Sequence, residues 1–126
     1  MPDATDVLRT RLDQLLSDTD PKAVDPVEFR GRQYDLGLAW VHFPEGLGGL
    51  GLPPSNQRLV EDRLRQAGAR PAGAREFFGL TMAGPTIVTH GSDELRARLL
   101  RRMFTGEDAW CQLFSEPGAG SDLANL

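Results

Sequence analysis

A chain of 126 residues with 40% hydrophobic and 25% charged side chains suits one domain with its own core, and its composition is that of an ordinary globular protein. The net charge of −4, without a dense basic cluster, argues against nucleic acid as a partner. Cys111 is alone and cannot close an intrachain disulfide, the opening MPDATDVLRT is too acidic and polar for a signal peptide, and no apolar run could span a bilayer, so the expectation is a cytoplasmic protein.

Val7, Leu8, Leu12, Leu15 and Leu16 fall on one stripe of a helix over residues 3–17, which Asp18-Thr19-Asp20-Pro21 ends. Asp25 is a good N-cap, and Pro26 suits the first position of a second helix carrying Phe29 and Tyr34 and weakening at Gly37. Residues 44–54 hold a literal G-x-G-x-x-G at Gly46, Gly48 and Gly51. A dinucleotide-binding turn needs a strand before it and a helix starting inside it, so that the pyrophosphate meets the helix N-terminus. Here Pro53-Pro54 follow at once, and the segment reads as a connection between helices.

Ser55 or Asn56 can cap a third helix over residues 57–68, followed by a breaker-rich link over 67–74. Residues 75–90 are the most apolar segment, with Phe77, Phe78, Leu80, Met82, Ile87 and Val88, and are expected deep in the core. Pro85 should kink or restart that helix, and Gly91 should terminate it. Ser92 caps a last helix with Asp93 and Glu94 in its first turn and Arg101 and Arg102 in its last, both matching the helix dipole. Leu95, Leu99, Leu100 and Met103 face inward and Gly106 ends the helix, while Arg96, Arg98, Arg101 and Arg102 read as a solvated face. His42 and His90 have no metal-ligand spacing with Cys111, so no metal site is read.

Residues 109–126, AWCQLFSEPGAGSDLANL, carry the chemistry. Trp110, Cys111, Leu113 and Phe114, interrupted by Gln112, read as a mostly buried strand. Pro117 has no N–H and ends it. Gly118 and Gly120 let the backbone take φ > 0 and approach a ligand closely, and successive free N–H groups in such a turn attract anions, phosphate above all.

The run WCQLFSEPGAGSDLA, preceded by THGSDELRARLLRRMFTGE, closely resembles the acyl-CoA dehydrogenase family of flavoenzymes, at unchanged spacing from about residue 79 onward. PEGLGGLGLP fits the family's N-terminal helical domain more loosely. The resemblance implies a mainly α fold: a helical domain of about five helices over residues 1–108, then the first strand and Gly-rich loop of a β-domain over 109–126. The family's chains are several times longer, so the sequence reads as an N-terminal fragment.

The resemblance also implies FAD as cofactor, an acyl-CoA as substrate, an electron-transfer flavoprotein as electron acceptor, and a homo- or hetero-oligomer when complete. The family's reaction belongs to fatty acid metabolism. A carboxylate takes the α-proton of the thioester, the β-hydrogen leaves as hydride to the flavin, and a trans-2-enoyl-CoA results. Reduction puts negative charge on the pyrimidine edge of the flavin, where hydrogen-bond donors stabilise it. By resemblance, Gln112 and Phe114 contact the ring, the latter mostly through its backbone, and the Ser115 hydroxyl serves the pyrimidine portion. Glu116 through Gly120, with Gly118 and Gly120, form the turn beside the cofactor, and Ser121 stands where FAD and the acyl-CoA arm approach each other. Phe77, Phe78 and Met82 lie on the helix that lines the acyl pocket.

Taken without the resemblance, Ser115 and Ser121 read as loop hydroxyls bonding their own backbone, and the aromatics and Met82 as plain core. The family's base is a glutamate much later in the chain. No residue of 1–126 is therefore assigned a catalytic role, Glu116 included, and these residues alone are expected to be inactive. Asn125 stands where related sequences carry a small residue, often glycine. The alternative is a non-catalytic helical binding or assembly module, or a partner subunit, whose unfinished strand presents a pairing-prone edge.

Overall fold

Leu8, Leu12 and Leu15 bury one side of the first helix, α1 (Ala4–Asp18), in the computed structural model, which describes residues 2–125. Then come α2 (Pro26–Asp35), α3 (Gln57–Gln66), α4 (Ala74–Phe78), α5 (Gly84–His90) and α6 (Asp93–Thr105). A π-turn, Gly79–Ala83, joins α4 and α5 into one rod, so the described residues form five main helical segments, with short 3₁₀ turns beside them. The fold is mainly α, as expected. Among the described residues no helix is long and apolar enough to cross a membrane.

The caps follow the sequence at both ends of the chain. The Asp25 carboxylate accepts the Val27 N–H at 2.8 Å with Pro26 in the first turn of α2, and the Ser92 hydroxyl accepts the Leu95 N–H at 3.2 Å. Gly106 closes α6 at φ +85°, the left-handed region that favours glycine. Two ends differ. A 3₁₀ turn, Pro54–Asn56, leads into α3, and neither Ser55 nor Asn56 caps it through a side chain. Gly91 stops α5 in an extended conformation, φ −73°, with its N–H on the Ile87 carbonyl at 2.8 Å.

Two clusters make the interior. Leu8, Leu12, Leu15, Phe29, Leu38, Val41, Val60 and Leu64 bring α1, α2 and α3 together. Tyr34, Trp40, Phe43, Leu100, Met103 and Phe104 fill the space between α2, α6 and the rod. Within the second cluster, Trp40 stacks on Phe43 with ring centres 4.6 Å apart and meets Tyr34 edge-on at 6.5 Å. The glycine-rich segment is a tight connection, as read. The N–H groups of Ala39 and Trp40 both donate to the Gly48 carbonyl at 3.0 Å, and a Cβ on Gly49 would lie 2.1 Å from the Phe43 oxygen. Arg98, Arg101 and Arg102 of α6 form a solvent-facing, ion-paired row, in which Arg101 reaches Asp35 of α2 through two bonds of 2.9 and 3.0 Å, whereas Arg96, paired with Asp93 at 3.1 Å, is half-buried.

The rod overturns one expectation. Residues 75–90 are not deep in the core: Phe77 is 55% and Met82 44% exposed. The buried members are Gly79 and Gly84, where a Cβ would come within 2.7 Å of Met103 and 2.9 Å of Trp40. The rod's backbone comes closest at its glycines, Leu80, Ile87 and Val88 pack half-buried against the second cluster, and Phe77 and Met82 point away. The π-turn fits Pro85. The Gly84 N–H donates five residues back to the Gly79 carbonyl. The next such bond would run from residue 85 to the Leu80 carbonyl, but proline has no N–H to give. The Trp40 indole supplies it, donating from Nε1 to the Leu80 oxygen at 3.0 Å.

The tail overturns a second. Residues 110–114 were expected as a mostly buried strand, yet the described residues contain no strand element, and Leu113 is 89% and Phe114 62% exposed. A strand is stabilised by a neighbouring strand's N–H and C=O groups, and none lies beside this segment.

Trp40→Phe keeps an aromatic ring but strips the donor from the Leu80 carbonyl, at an expected cost of about 1–3 kcal/mol. Pro85→Ala restores a backbone N–H to the same carbonyl, so the double variant should regain part of that loss, a coupling of about 1 kcal/mol. Urea unfolding followed by circular dichroism measures both. Strictly additive losses would show that the indole does not stand in for the missing amide.

Candidate functional site

The sequence-assigned residues fall into two groups, the turn after residue 114 and the outward face of the rod. The turn is short and closed. The Glu116 N–H donates to the Ala119 carbonyl at 2.7 Å, the Ala119 N–H donates back at 3.1 Å, and Pro117-Gly118 occupy the corner. Neither Gly118 nor Gly120 takes a positive φ, so the expected left-handed backbone is absent from this turn. What the glycines leave is space: a Cβ on Gly118 would meet nothing within 4 Å, and one on Gly120 would meet only the Ser115 hydroxyl at 3.9 Å. Asn125 closes the loop from the far side, its Nδ2 donating to the Gly118 carbonyl at 2.9 Å. The departure at position 125 thus holds the turn it follows.

The turn spends two N–H groups on itself. Among the described residues, the N–H groups of Gly118, Gly120 and Ser121 have no protein acceptor, and the hydroxyls of Ser115 and Ser121 bond no protein group. Both serines are exposed, and neither satisfies its own backbone. Gln112 and Phe114 are exposed just before the turn. The donors present, hydroxyl and amide, suit an electron-rich heteroaromatic edge or a phosphate. A flavin dinucleotide offers both, so the donor set fits FAD.

The rod supplies an apolar wall. Phe77 and Phe78 meet edge-to-face with ring centres 5.6 Å apart, and Met82 lies one turn further on. No hydrogen bond joins this wall to the turn among the described residues. The link is Trp110: a Cβ on Gly79 would lie 3.7 Å from its ring, so the tail leaves α6 beside the π-turn. Arg102 holds that exit through paired bonds of 2.9 and 3.0 Å to Asp108, which keep the Asp108 carboxyl below its usual range.

An ion pair with no local mark in the chain fixes the rod's first turn. Arg30 of α2 and Glu76 of α4 meet at 3.2 Å with side chains 11% and 13% exposed, and the second Glu76 oxygen accepts the Gly73 N–H at 2.8 Å. Burial pushes the Glu76 carboxyl upward, but the Gly73 amide and the Arg30 guanidinium outweigh it and hold the group below its ordinary value. Close by, burial first and the Asp35 charge second push the Tyr34 hydroxyl up to about 12. Tyr34 is therefore a neutral core residue. His42 sits exposed beside the Phe43 ring and His90 at the end of α5, remote from the turn in sequence.

Comparison with known proteins gives one consistent result. The profile described as acyl-CoA dehydrogenase, N-terminal domain, matches residues 3–107. The chain is 43% identical over 93 residues to acyl-CoA dehydrogenase FadE34 of Mycobacterium tuberculosis, covering 73% of this chain and 12% of that protein. It is 36% identical over 90 residues to acyl-CoA dehydrogenase IpdE1 of the same organism, covering 71% and 23% respectively. With a probable acyl-CoA dehydrogenase of Bacillus subtilis it shares 32% over 88 residues, covering 70% and 14%. The chain thus spans less than a quarter of the length of these relatives. No solved structure matches it significantly.

The buried pair gives a pH signature. The folded carboxyl of Glu76 lies below its ordinary value of 4.5, so its contribution is complete above that pH and is lost as the pH falls through the lowered folded value. Glu76→Gln should cost about 1–3 kcal/mol at neutral pH and flatten the acid limb of the stability curve. Thermal melts of both forms from neutral pH to below pH 4.5 test it. A gap between the two that stays constant across that range would remove the pair from the account.

Proposed function

The chain belongs to the acyl-CoA dehydrogenase family, and from that premise we propose that it forms the N-terminal part of an FAD-dependent enzyme that introduces an α,β double bond into an acyl-CoA thioester. Residues 1–108 are then the helical domain and 109–126 the start of the β-domain. The observation that carries this reading is the turn at 115–121. It offers two serine hydroxyls and three amide groups, exposed and unused by the protein among the described residues. A loop hydroxyl that served only its own backbone would not be left so.

The bound flavin supplies the two-electron acceptor. The chain's own residues bind and orient. Ser115 donates to the pyrimidine edge, and the Phe114 backbone and Gln112 lie along the ring. Gly118 and Gly120 give the dinucleotide access without a Cβ in the way, and Ser121 stands between cofactor and the thioester arm. Phe77, Phe78 and Met82 form an apolar side wall for the acyl group, excluding water from it, and their exposure of up to 55% leaves them free to do so. No carboxylate of this chain is assigned the α-proton. The exposed run around Leu113 and Phe114 fits a first strand whose partners belong to the rest of such an enzyme, where a homo- or hetero-oligomer and an electron-transfer flavoprotein complete the system. A cytoplasmic setting goes with this reading.

In the complete protein that carries these residues, Ser115→Ala should weaken binding of oxidised FAD by about three- to tenfold, the worth of one neutral hydrogen bond, or shift the flavin potential. Equilibrium fluorescence titration and redox titration read the two. Unchanged affinity and potential would strike Ser115 from the site. Residues 1–126 alone, given FAD, should turn over no acyl-CoA, and any measurable turnover would contradict the assignment of the base to another part of the protein.

A further inference from the structure

A cavity of about 440 Å³ opens between α2, α3, the 67–73 link and the π-turn. Phe29, Trp40, Leu64, Leu80 and Phe104 give it apolar walls. Two polar side chains that line it, Arg30 and Gln33, are each only 9% exposed. Arg30 touches Glu76 through Nη1 at 3.2 Å, and no other protein group accepts from its guanidinium among the described residues. Its remaining nitrogens are not sealed off either, since the only buried side-chain polar atom without a partner among those residues is Nε of Arg96. Gln33 spends its Nε2 on the Leu38 carbonyl at 3.0 Å, leaving its oxygen free. Gln57 takes the Val41 N–H on its Oε1 at 2.9 Å, leaving its amide nitrogen free. An apolar concavity of this size with a few converging polar groups has the composition of a small-molecule site.

The polar groups select the ligand. A guanidinium carries five N–H donors in a planar fork that matches a carboxylate's two oxygens, and one ionic contact leaves most of them unspent. At the rim Arg65 is held by Asp62 at 3.1 Å and Arg70 stands opposite Glu61, so the entrance is close to neutral and the choice of head group rests on Arg30. The walls are too apolar for a small, fully hydrated anion, and a desolvated tail is what they would accept. We propose that this cavity binds a small apolar carboxylate, its head group on the Arg30 guanidinium and its tail against Trp40, Leu80 and Phe104. The proposal requires neither flavin nor coenzyme A, so its failure leaves the dehydrogenase reading untouched.

The probe is decanoate, below its micelle-forming concentration, titrated into the isotope-labelled chain, with methyl decanoate as the neutral counterpart. The Trp40 indole N–H and the side-chain amides of Gln33 and Gln57 should shift saturably with decanoate, and the ester should bind at least about tenfold more weakly for want of a charge-assisted bond. Arg30→Lys keeps the charge and loses the fork, with a similar weakening expected. Ala72→Phe, at the exposed rim, should block entry without disturbing either core cluster. Equal binding of acid and ester, unchanged binding by Ala72→Phe, or no saturable shift at Trp40 would each overturn the proposal. Should Arg30→Lys fail to fold, the ester comparison and the rim variant decide it on folded protein.

Discussion

A single hydrogen bond, from the Trp40 indole to the Leu80 carbonyl, ties the local chemistry of this chain to its tertiary arrangement. Pro85 cannot donate to the helix that contains it, and an orphaned carbonyl in partly buried surroundings is costly. The chain meets that cost by widening one turn to the π register and bringing a donor from forty residues earlier. The donor ring cannot move freely. Phe43 lies against one face, Tyr34 and Phe104 crowd it, and Gly84 of the rod leaves no Cβ between them. The π-turn, the proline and the aromatic cluster are therefore one device. It fixes the rotation of the rod and thereby decides which of its residues face out.

That rotation explains an arrangement that would otherwise look like poor packing. A rod with Phe77, Phe78, Leu80, Met82, Ile87 and Val88 has enough apolar surface to bury on every side, yet its only fully buried residues are Gly79 and Gly84. Close approach at the glycines brings Met103 and Trp40 against the rod's backbone, Leu80, Ile87 and Val88 pack beside them, and Phe77, Phe78 and Met82 are left as an apolar wall. The Arg30–Glu76 pair then holds the rod's first turn, and its second oxygen takes the Gly73 amide at the rod's entry. A wall held at its start by an ion pair and in its middle by an indole is a rigid support, which is what a surface for positioning a ligand requires.

Much of the fold was legible because it is written locally. The leucine stripe of α1, the Asp25-Pro26 and Ser92 starts and the Gly106 stop depend on residues within a turn or two of one another, and all stand where the pattern put them. The misread parts depend on partners remote in sequence. Apolar content alone made residues 75–90 look like core, whereas the glycines at 79 and 84 held the information about docking, and their meaning came only with Trp40 and Met103 in place. The alternation at 110–114 describes a strand's side chains but not the neighbour that would hydrogen-bond its backbone. At 117–120 the glycines permitted a left-handed bend without requiring one, and a proline-led turn with two mutual hydrogen bonds formed at negative φ. Arg30 and Glu76, 46 positions apart, carried no mark in the sequence at all.

The exposed apolar residues follow from the same division. Phe77 and Met82 on the rod, and Leu113 and Phe114 on the tail, are exposed, and Trp110 marks where the tail leaves α6 against Gly79. Single exposed apolar residues mean little, but large ones left bare both on a rigid rod and on the tail that leaves beside it are the pattern of a surface made to be covered. The polar content of the tail adds direction to that argument. The serine hydroxyls and free amides begin where the apolar run stops, so whatever covers this face meets hydrocarbon along the rod and hydrogen-bond donors at the turn. An acyl chain joined to a polar thioester arm, lying beside a flavin, has that same division between its two ends. That correspondence is the support the bare surface lends to the proposed reading.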